Sequence, residues 1–402
     1  MRSVDEHLAE ILATVRTLAP LEVELERSLG TTLAEDVTTP VELPPFDNSA
    51  MDGYAVRSED VRRAAQESPV TLPVIDDVAA GDGALYAVGP GHAVRIMTGA
   101  PMPAGADAVV PVEWTDGGKT SVAITRPAPA GHAIRRAGED VHKGEVVLRA
   151  GMHIGAAQLG ILAGVGRRRA LVRPRPRVVV LSTGAELVEP GSMLGAGQIW
   201  DSNSFTLTAA VREAGADGFR AGVVPDDAAV FLDQLDAQLV RADAVITSGG
   251  VSMGAYEPVK EALGPLGTVG FQRVAMQPGM PQGFGVVGDD EVPIFALPGN
   301  PVSSFVSFVL FVRPALRKMQ GLPPETATVR ATTATALRSP PGKRSFLRAT
   351  LAWSPDGAAV ASPVRGQGSH QLAALAAANA LVVVPEDVTD LPEGAAVEVI
   401  PL

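Results

Sequence analysis

At 402 residues, with 46% hydrophobic and 19% charged residues, the chain is too long for one core and reads as two to four globular domains, not a disordered polymer. Its formal net charge of −12 argues against a nucleic-acid partner and an anionic membrane surface, and the lack of cysteine excludes a disulfide framework, a thiol nucleophile and a zinc–thiolate site. The six histidines lack metal-ligand spacing, no apolar segment marks a signal peptide, and no run reaches the ~18–20 residues of a membrane span, so a cytoplasmic protein is expected.

In chain order, Ser3-x-x-Glu6 reads as a capping box opening a helix whose apolar stripe is Leu8, Ile11, Leu12, Val15 and Leu18, ended by Pro20. Strand-like pieces follow at 21–25 and 32–37, and Pro44-Pro45 forces an extended entry into 46–57. From about 58 to 137, prolines and glycines punctuate short strand candidates at 93–97, 108–112 and 121–125. This predicts a β-rich domain over 47–137, inserted into an elongated N-terminal lobe built from 1–46 and 138–173, with a helix near 154–165. Arg173-Pro174-Arg175-Pro176 is a stiff linker into an α/β domain spanning 174–322. There, helices at 203–214, 228–241 and 256–263 alternate with strands at 177–182, 219–224, 243–247 and 292–297, and a helix apolar nearly all round runs from 302 to about 320. Leu322-Pro323-Pro324 marks the next boundary. The remainder, 323–402, reads as a C-terminal β domain with strands near 328–333, 345–353, 358–364, 380–384 and 396–400, and a helix at 371–378 with Ser369 as its N-cap. The fold class is therefore multidomain α/β with a central parallel layer.

Three apolar runs of this layer end in Gly/Ser/Thr turns: Ser182-Thr183-Gly184-Ala185-Glu186, Ser248-Gly249-Gly250-Val251-Ser252, and Pro298-Gly299-Asn300-Pro301 leading to Ser303. Short, unbroken, β-branched runs are strands buried on both faces, and parallel sheets bind ligands at the carboxyl ends of their strands. Glycines there let backbone N–H groups approach an anion, which predicts a phosphorylated small molecule as ligand. Glu186, Asp226, Asp227 and Glu257 fall at the same edge. Carboxylates beside an anion repel it unless a cation intervenes, so hard oxygen donors next to phosphate suggest Mg2+. The same residues also suit helix capping, and both roles stay open. No nucleophile–histidine pair suggests covalent catalysis. The turn-rich segments 45–57 and 97–103, by their residues alone, are tight crossings between lobes.

The segments 44–57 (PPFDNSAMDGYAVR), 95–103 (RIMTGAPMP), 138–140 (GED), 182–187 (STGAEL), 248–254 (SGGVSMG) and 297–303 (LPGNPVS) together resemble the molybdopterin molybdenumtransferase family, related to the E domain of gephyrin, across nearly the whole chain. The resemblance implies four-domain subunits in an elongated homodimer that take adenylylated molybdopterin and molybdate with Mg2+ and release AMP and molybdenum cofactor. It implies an active site between the α/β domain of one subunit and the β module of the other, and a possible transient contact with a molybdopterin adenylyltransferase. The family's functional acids then fall on Asp52, Asp140, Glu186, Asp227 and Glu257, with Thr98 and Arg135 at further functional positions, and Arg344, Arg348 and Ser369 at an oxyanion site. Relatives commonly carry two lysines in a Lys-Pro-Gly-Lys-Pro segment, whereas here it is Gln277-Pro278-Gly279-Met280-Pro281. Each lysine is worth about 4 kcal/mol at ~4 Å from an oxyanion before desolvation. Gln277 still donates a hydrogen bond. The change raises one alternative to metal insertion, a non-catalytic pterin carrier; the shared parallel-sheet domain raises another, a molybdopterin adenylyltransferase.

Overall fold

A computed structural model describes residues 1–81, 84–251 and 257–402; Ser252 lies outside the described residues. The chain divides into two compact units, one of residues 1–34, 151–156 and 169–402, the other of residues 35–150 and 157–168. The N-terminal 34 residues thus group with the α/β part and not with residues 35–46.

The first unit is centred on a six-stranded sheet. We label its elements β1 (Arg177–Thr183), α1 (Asn203–Glu213), β2 (Asp217–Val224), α2 (Ala228–Leu239), β3 (Ala244–Ser248), α3 (Pro258–Leu263), β4 (Val269–Arg273), β5 (Pro281–Val287) and β6 (Val292–Leu297). The strand order is β2-β1-β3-β6-β5-β4. The first four strands run parallel, as the buried β-branched runs predict, while β5 pairs antiparallel with both β6 and β4 and makes the sheet mixed. These last two strands are absent from the sequence reading because glycine in a strand is read as a turn. Here the glycines are required by packing: a Cβ at Gly285 would lie 2.1 Å from the Thr268 carbonyl oxygen, and one at Gly283 would lie 2.8 Å from the Ala296 and Phe271 side chains.

One face of the sheet packs Val178, Val180, Ile246 and Phe295 against α1 and the long C-terminal helical segment; the other packs Val179, Leu181, Val245 and Ile294 against α2 and α3. The N-terminal helix Val4–Thr14 joins the first core through Val4, Ile11 and the following Val15. Its capping box forms as expected, but the helix ends at Thr14, short of the predicted stripe, and it buries His7, with Leu8 at the edge. The apolar segment after β6 is a rod of α-helix (Pro301–Ser307), π-helix (Phe308–Val312) and α-helix (Arg313–Met319). All five π-helical residues are buried, which accounts for a sequence apolar on every side.

Within the same unit, strands Val329–Thr333, Arg344–Trp353, Ala359–Pro363, Ala380–Val384 and Ala396–Pro401 pair in a ring, because Arg344–Trp353 bonds to both Ala359–Pro363 and Ala380–Val384. Closure leaves this small barrel without the unpaired edges of an open sheet. The Met276–Gln277 strand adds beside Arg344–Ser345. The helix before the last barrel strands spans Leu372–Ala376 with Gln371 as N-cap, which corrects the expectation of Ser369: the Ser369 carbonyl instead accepts from the Val302 N–H at 3.0 Å. The second unit contains a five-stranded sheet in which Gly53–Val56 lies between Ala93–Ile96 and Ala108–Pro111, with Tyr54, Val56, Ala93 and Val110 in its core.

Candidate functional site

The turns after β1, β3 and β6 converge on one cavity of about 650 Å3 in the first unit. Thr183, Gly184 and Glu186 line it from the first turn, Ser248, Gly249 and Gly250 from the second, and Pro298, Gly299, Asn300 and Ser303 from the third. Asp226, which follows β2, and Glu257, which precedes α3, add two more carboxylates to the wall. Two glycines are obligatory at the closest approach: Gly249 (φ +97) and Gly250 (φ +67) take backbone conformations that favour glycine, and a Cβ on Gly249 would sit 2.5 Å from the Thr183 carbonyl oxygen.

The donors are fewer than the turns suggest. Pro298 and Pro301 have no N–H, the Val302 N–H is given to Ser369, and the Gly249 N–H donates to the Leu297 carbonyl at 3.1 Å. Gly250, Gly299, Asn300 and Ser303 are left as residues that can present an N–H to a ligand. The Ser182 hydroxyl is fully buried and donates to Asp201 at 3.1 Å, so it supports the turn from below. Asp226 accepts from the Ala185 N–H at 2.8 Å and ties the end of β2 to the turn after β1. Asp227 is the N-cap of α2, with Oδ1 accepting from the Ala229 and Val230 N–H groups, and it does not line the cavity.

The remaining expected site residues of the first unit, Gln277, Arg344, Arg348 and Ser369, lie off the cavity wall. Pro281 lines it, whereas Gln277 does not. Arg344 is held by two carboxylates: Asp5 takes both terminal nitrogens at 2.7 and 2.8 Å and Glu386 lies at 3.1 Å, so its charge is matched within the chain, with the Asp5 hydrogen bonds holding its pKa above the usual value. That departs from the expected oxyanion role. Arg348 is different: it is 1% exposed, its Nη2 donates to the Gly366 and Gly368 carbonyls at 2.6 and 3.2 Å, and its Nε has no partner, so burial disfavours its charge.

In the second unit, Asp52 Oδ1 accepts from both the Thr98 N–H (2.7 Å) and the Thr98 hydroxyl (2.8 Å), which hold its carboxyl below the usual range. This is the only link the structure makes among the four expected residues there. Arg135 is exposed on a two-residue strand opposite Asn48, and the Asp140 N–H donates to the Leu43 carbonyl at 3.0 Å.

Sequence reasoning missed the turn Asp201-Ser202-Asn203, all three of which line the cavity. Asp201 is fully buried and accepts from Ser182 and from the Ser204 hydroxyl at 2.5 Å. Asn203 Nδ2 donates to Ser248 Oγ at 2.8 Å and to the Gly299 carbonyl at 2.6 Å, cross-linking two of the glycine turns. Polar residues before a helix read as caps, so their bonds to distant strand ends left no local signal. Trp200 and His370 also line the cavity.

Among the described residues, no lysine or arginine lines this cavity, while Glu186, Asp226 and Glu257 do. Nor do three His, Asp or Glu side chains stand together as a preformed metal cage among them. The donor set therefore suits an ion that needs only one or two protein carboxylates and takes its other oxygens from water and phosphate, as Mg2+ does.

A mixed α/β sheet with glycine turns and carboxylates at its strand ends, joined in one chain to a small barrel and a second unit, defines a multidomain α/β protein with a polar cavity at the strand ends of its sheet. Residues 2–166 match the MoeA N-terminal region (domain I and II), residues 179–318 the probable molybdopterin binding domain, and residues 330–402 the MoeA C-terminal region (domain IV). The chain is 48% identical to molybdopterin molybdenumtransferase 2 of Mycobacterium tuberculosis (strain ATCC 25618 / H37Rv), covering 99% of each, and 36% identical to molybdopterin molybdenumtransferase of Haemophilus influenzae, covering 94% and 93%. The crystal structure of the molybdopterin biosynthesis MoeA protein from Pyrococcus horikosii superposes with a TM-score of 0.80 at 34% identity over 99% and 98% of the chains. The chain belongs to the molybdopterin molybdenumtransferase family.

Proposed function

We propose that this chain inserts molybdenum into adenylylated molybdopterin, taking molybdate as substrate and releasing AMP, with Mg2+ as the assisting ion. The observation that carries the proposal is the cavity itself: glycine turns from three parallel strands face four carboxylates, Glu186, Asp201, Asp226 and Glu257, with no lysine or arginine in the wall among the described residues. An anionic diphosphate enters such a site only with a divalent cation between it and the acids. Mg2+, when bound, would neutralise phosphate oxygens and stabilise charge building on the leaving AMP. Glu186, Asp226 and Glu257 are the residues that would hold it. The turns at 248–250 and 298–303 orient the phosphate end, with Ser252 as a further donor, and Asn203 keeps them in register. Arg348 and Ser369 act at the molybdate side and Gln277 provides a neutral donor there. Asp227 acts through the helix it caps.

The expected homodimer belongs to the same proposal: Asp52, Thr98, Arg135 and Asp140 would be contributed by a second copy. One observation keeps a non-catalytic pterin carrier in view, the replacement of both family lysines by Gln277 and Met280. The adenylyltransferase alternative would need only residues 174–322 and leaves unused the N-terminal helix embedded in the central core. The deciding experiment incubates purified protein with adenylylated molybdopterin and Mg2+, with molybdate or tungstate or neither. Oxyanion-dependent AMP release supports insertion; tight pterin binding without release supports the carrier, and ATP turnover without molybdate supports the adenylyltransferase.

A further inference from the structure

Trp200 stands out in the cavity wall. Among the described residues it is the only Phe, Tyr or Trp there, it is 49% exposed, and its indole N–H donates to the Ser192 carbonyl at 2.9 Å. That bond, together with the pairing of Leu187–Val188 with Ile199–Trp200, fixes the ring from its polar edge. Leu187 and Ile199 line the same wall, so the flap joins an aromatic surface to aliphatic neighbours on a cavity that is otherwise mostly carboxylates, hydroxyls and glycine backbone. Leaving an indole half-exposed and pinned forgoes burial of a large apolar surface, which suits a platform that a ligand covers.

We infer that Trp200 is the stacking platform for a planar nitrogen heterocycle of the substrate. This inference rests on the cavity being the substrate site. The ligand of the proposed reaction has two such rings, the adenine and the pterin, and either would lie on the indole with its phosphate directed to the glycine turns. A ring stacked on an aromatic side chain contributes ~1–3 kcal/mol, so its loss reads as a weakening of roughly 5- to 150-fold.

The test titrates AMP and, separately, neopterin with Mg2+ into the full-length protein carrying Trp114→Phe and Trp353→Phe, so that tryptophan emission reports Trp200, and repeats both titrations calorimetrically with Trp200→Ala and Trp200→Phe. The expected result is that one ligand quenches Trp200 emission, that Trp200→Ala weakens that ligand at least about fivefold, and that Trp200→Phe retains most of the affinity. Quenching by AMP assigns the adenine end, and quenching by neopterin the pterin end. In turnover, Trp200→Ala raises KM for adenylylated molybdopterin more than it lowers kcat. Three results would overturn the inference: unchanged affinity in folded Trp200→Ala, an equal loss in Trp200→Phe, or no binding of either ligand to the unsubstituted protein. Molybdate-dependent AMP release is assayed on the same preparation; its absence counts against the proposed reaction, whereas normal release with no Trp200 effect counts against the platform alone.

Discussion

Gly249→Ala is the substitution whose effect follows most directly from the geometry. The added Cβ would lie 2.5 Å from the Thr183 carbonyl oxygen, a backbone atom that cannot rotate away, at φ +97 where alanine is strained. The backbone strain costs about 1–3 kcal/mol. Relieving the clash needs a further shift of roughly 0.7 Å between the turns after β1 and β3, at the point where both face the cavity, and displacements near 1 Å cost about 100-fold in turnover. Gly299→Ala is the control: its Cβ would meet only the Gly249 Cα at 3.5 Å, an ordinary contact. Urea unfolding and AMP release measured on both variants should show Gly249→Ala less stable by about 2 kcal/mol and down about 100-fold in kcat/KM, with Gly299→Ala close to the parent in stability. Equal behaviour of the two variants would refute the view that this turn is set by close backbone approach.

Three further outcomes are expected. His7 is 2% exposed beside Phe311, its Nδ1 makes no hydrogen bond and has Glu10 Oε2 3.9 Å away, and burial lowers its pKa from 6.5 to about 4. The unfolded chain therefore takes up this proton first, so the stability contribution is complete above pH 6.5 and is lost as pH falls toward 4, a change of about 3 kcal/mol; His7→Leu should flatten the pH dependence of unfolding over that window. Gln277→Lys with Met280→Lys should lower KM for molybdate about tenfold, a fraction of the ~4 kcal/mol each cation offers at 4 Å before desolvation, and an unchanged KM would show that neither position faces the oxyanion. If, as proposed, the site is shared between two copies, mixing Asp52→Asn with Glu186→Gln protein should restore AMP release that neither variant has alone, because a mixed dimer would keep one intact site; no recovery after subunit exchange would place both acids in one subunit's site.

The parallel strands and their turns were readable because burial on both faces demands unbroken β-branched runs, and glycine turns interrupt them abruptly: 177–182, 243–247 and 292–297 fall on β1, β3 and β6 within a residue or so. Elements set by distant partners were not readable. The glycines of β5 are explained only by Phe271, Ala296 and the Thr268 backbone, and the ring closure of the C-terminal barrel depends on one strand bonding two others. Asn203 looked like the start of a helix and is a clamp between turns some 45 and 96 residues away in sequence. Arg344 carried the right charge for an anion, yet Asp5, 339 residues away, engages it. Charge type is legible in a sequence; whether a charge is already matched depends on long-range contacts.

The account depends most on a cavity that has carboxylates and backbone donors but no cationic side chain of its own among the described residues. Calorimetric titration of AMP into the protein, with Mg2+ and then with EDTA, tests this directly. Binding that requires Mg2+ and is weakened at least tenfold in Glu186→Gln is the predicted result, whereas equal binding in EDTA would contradict it.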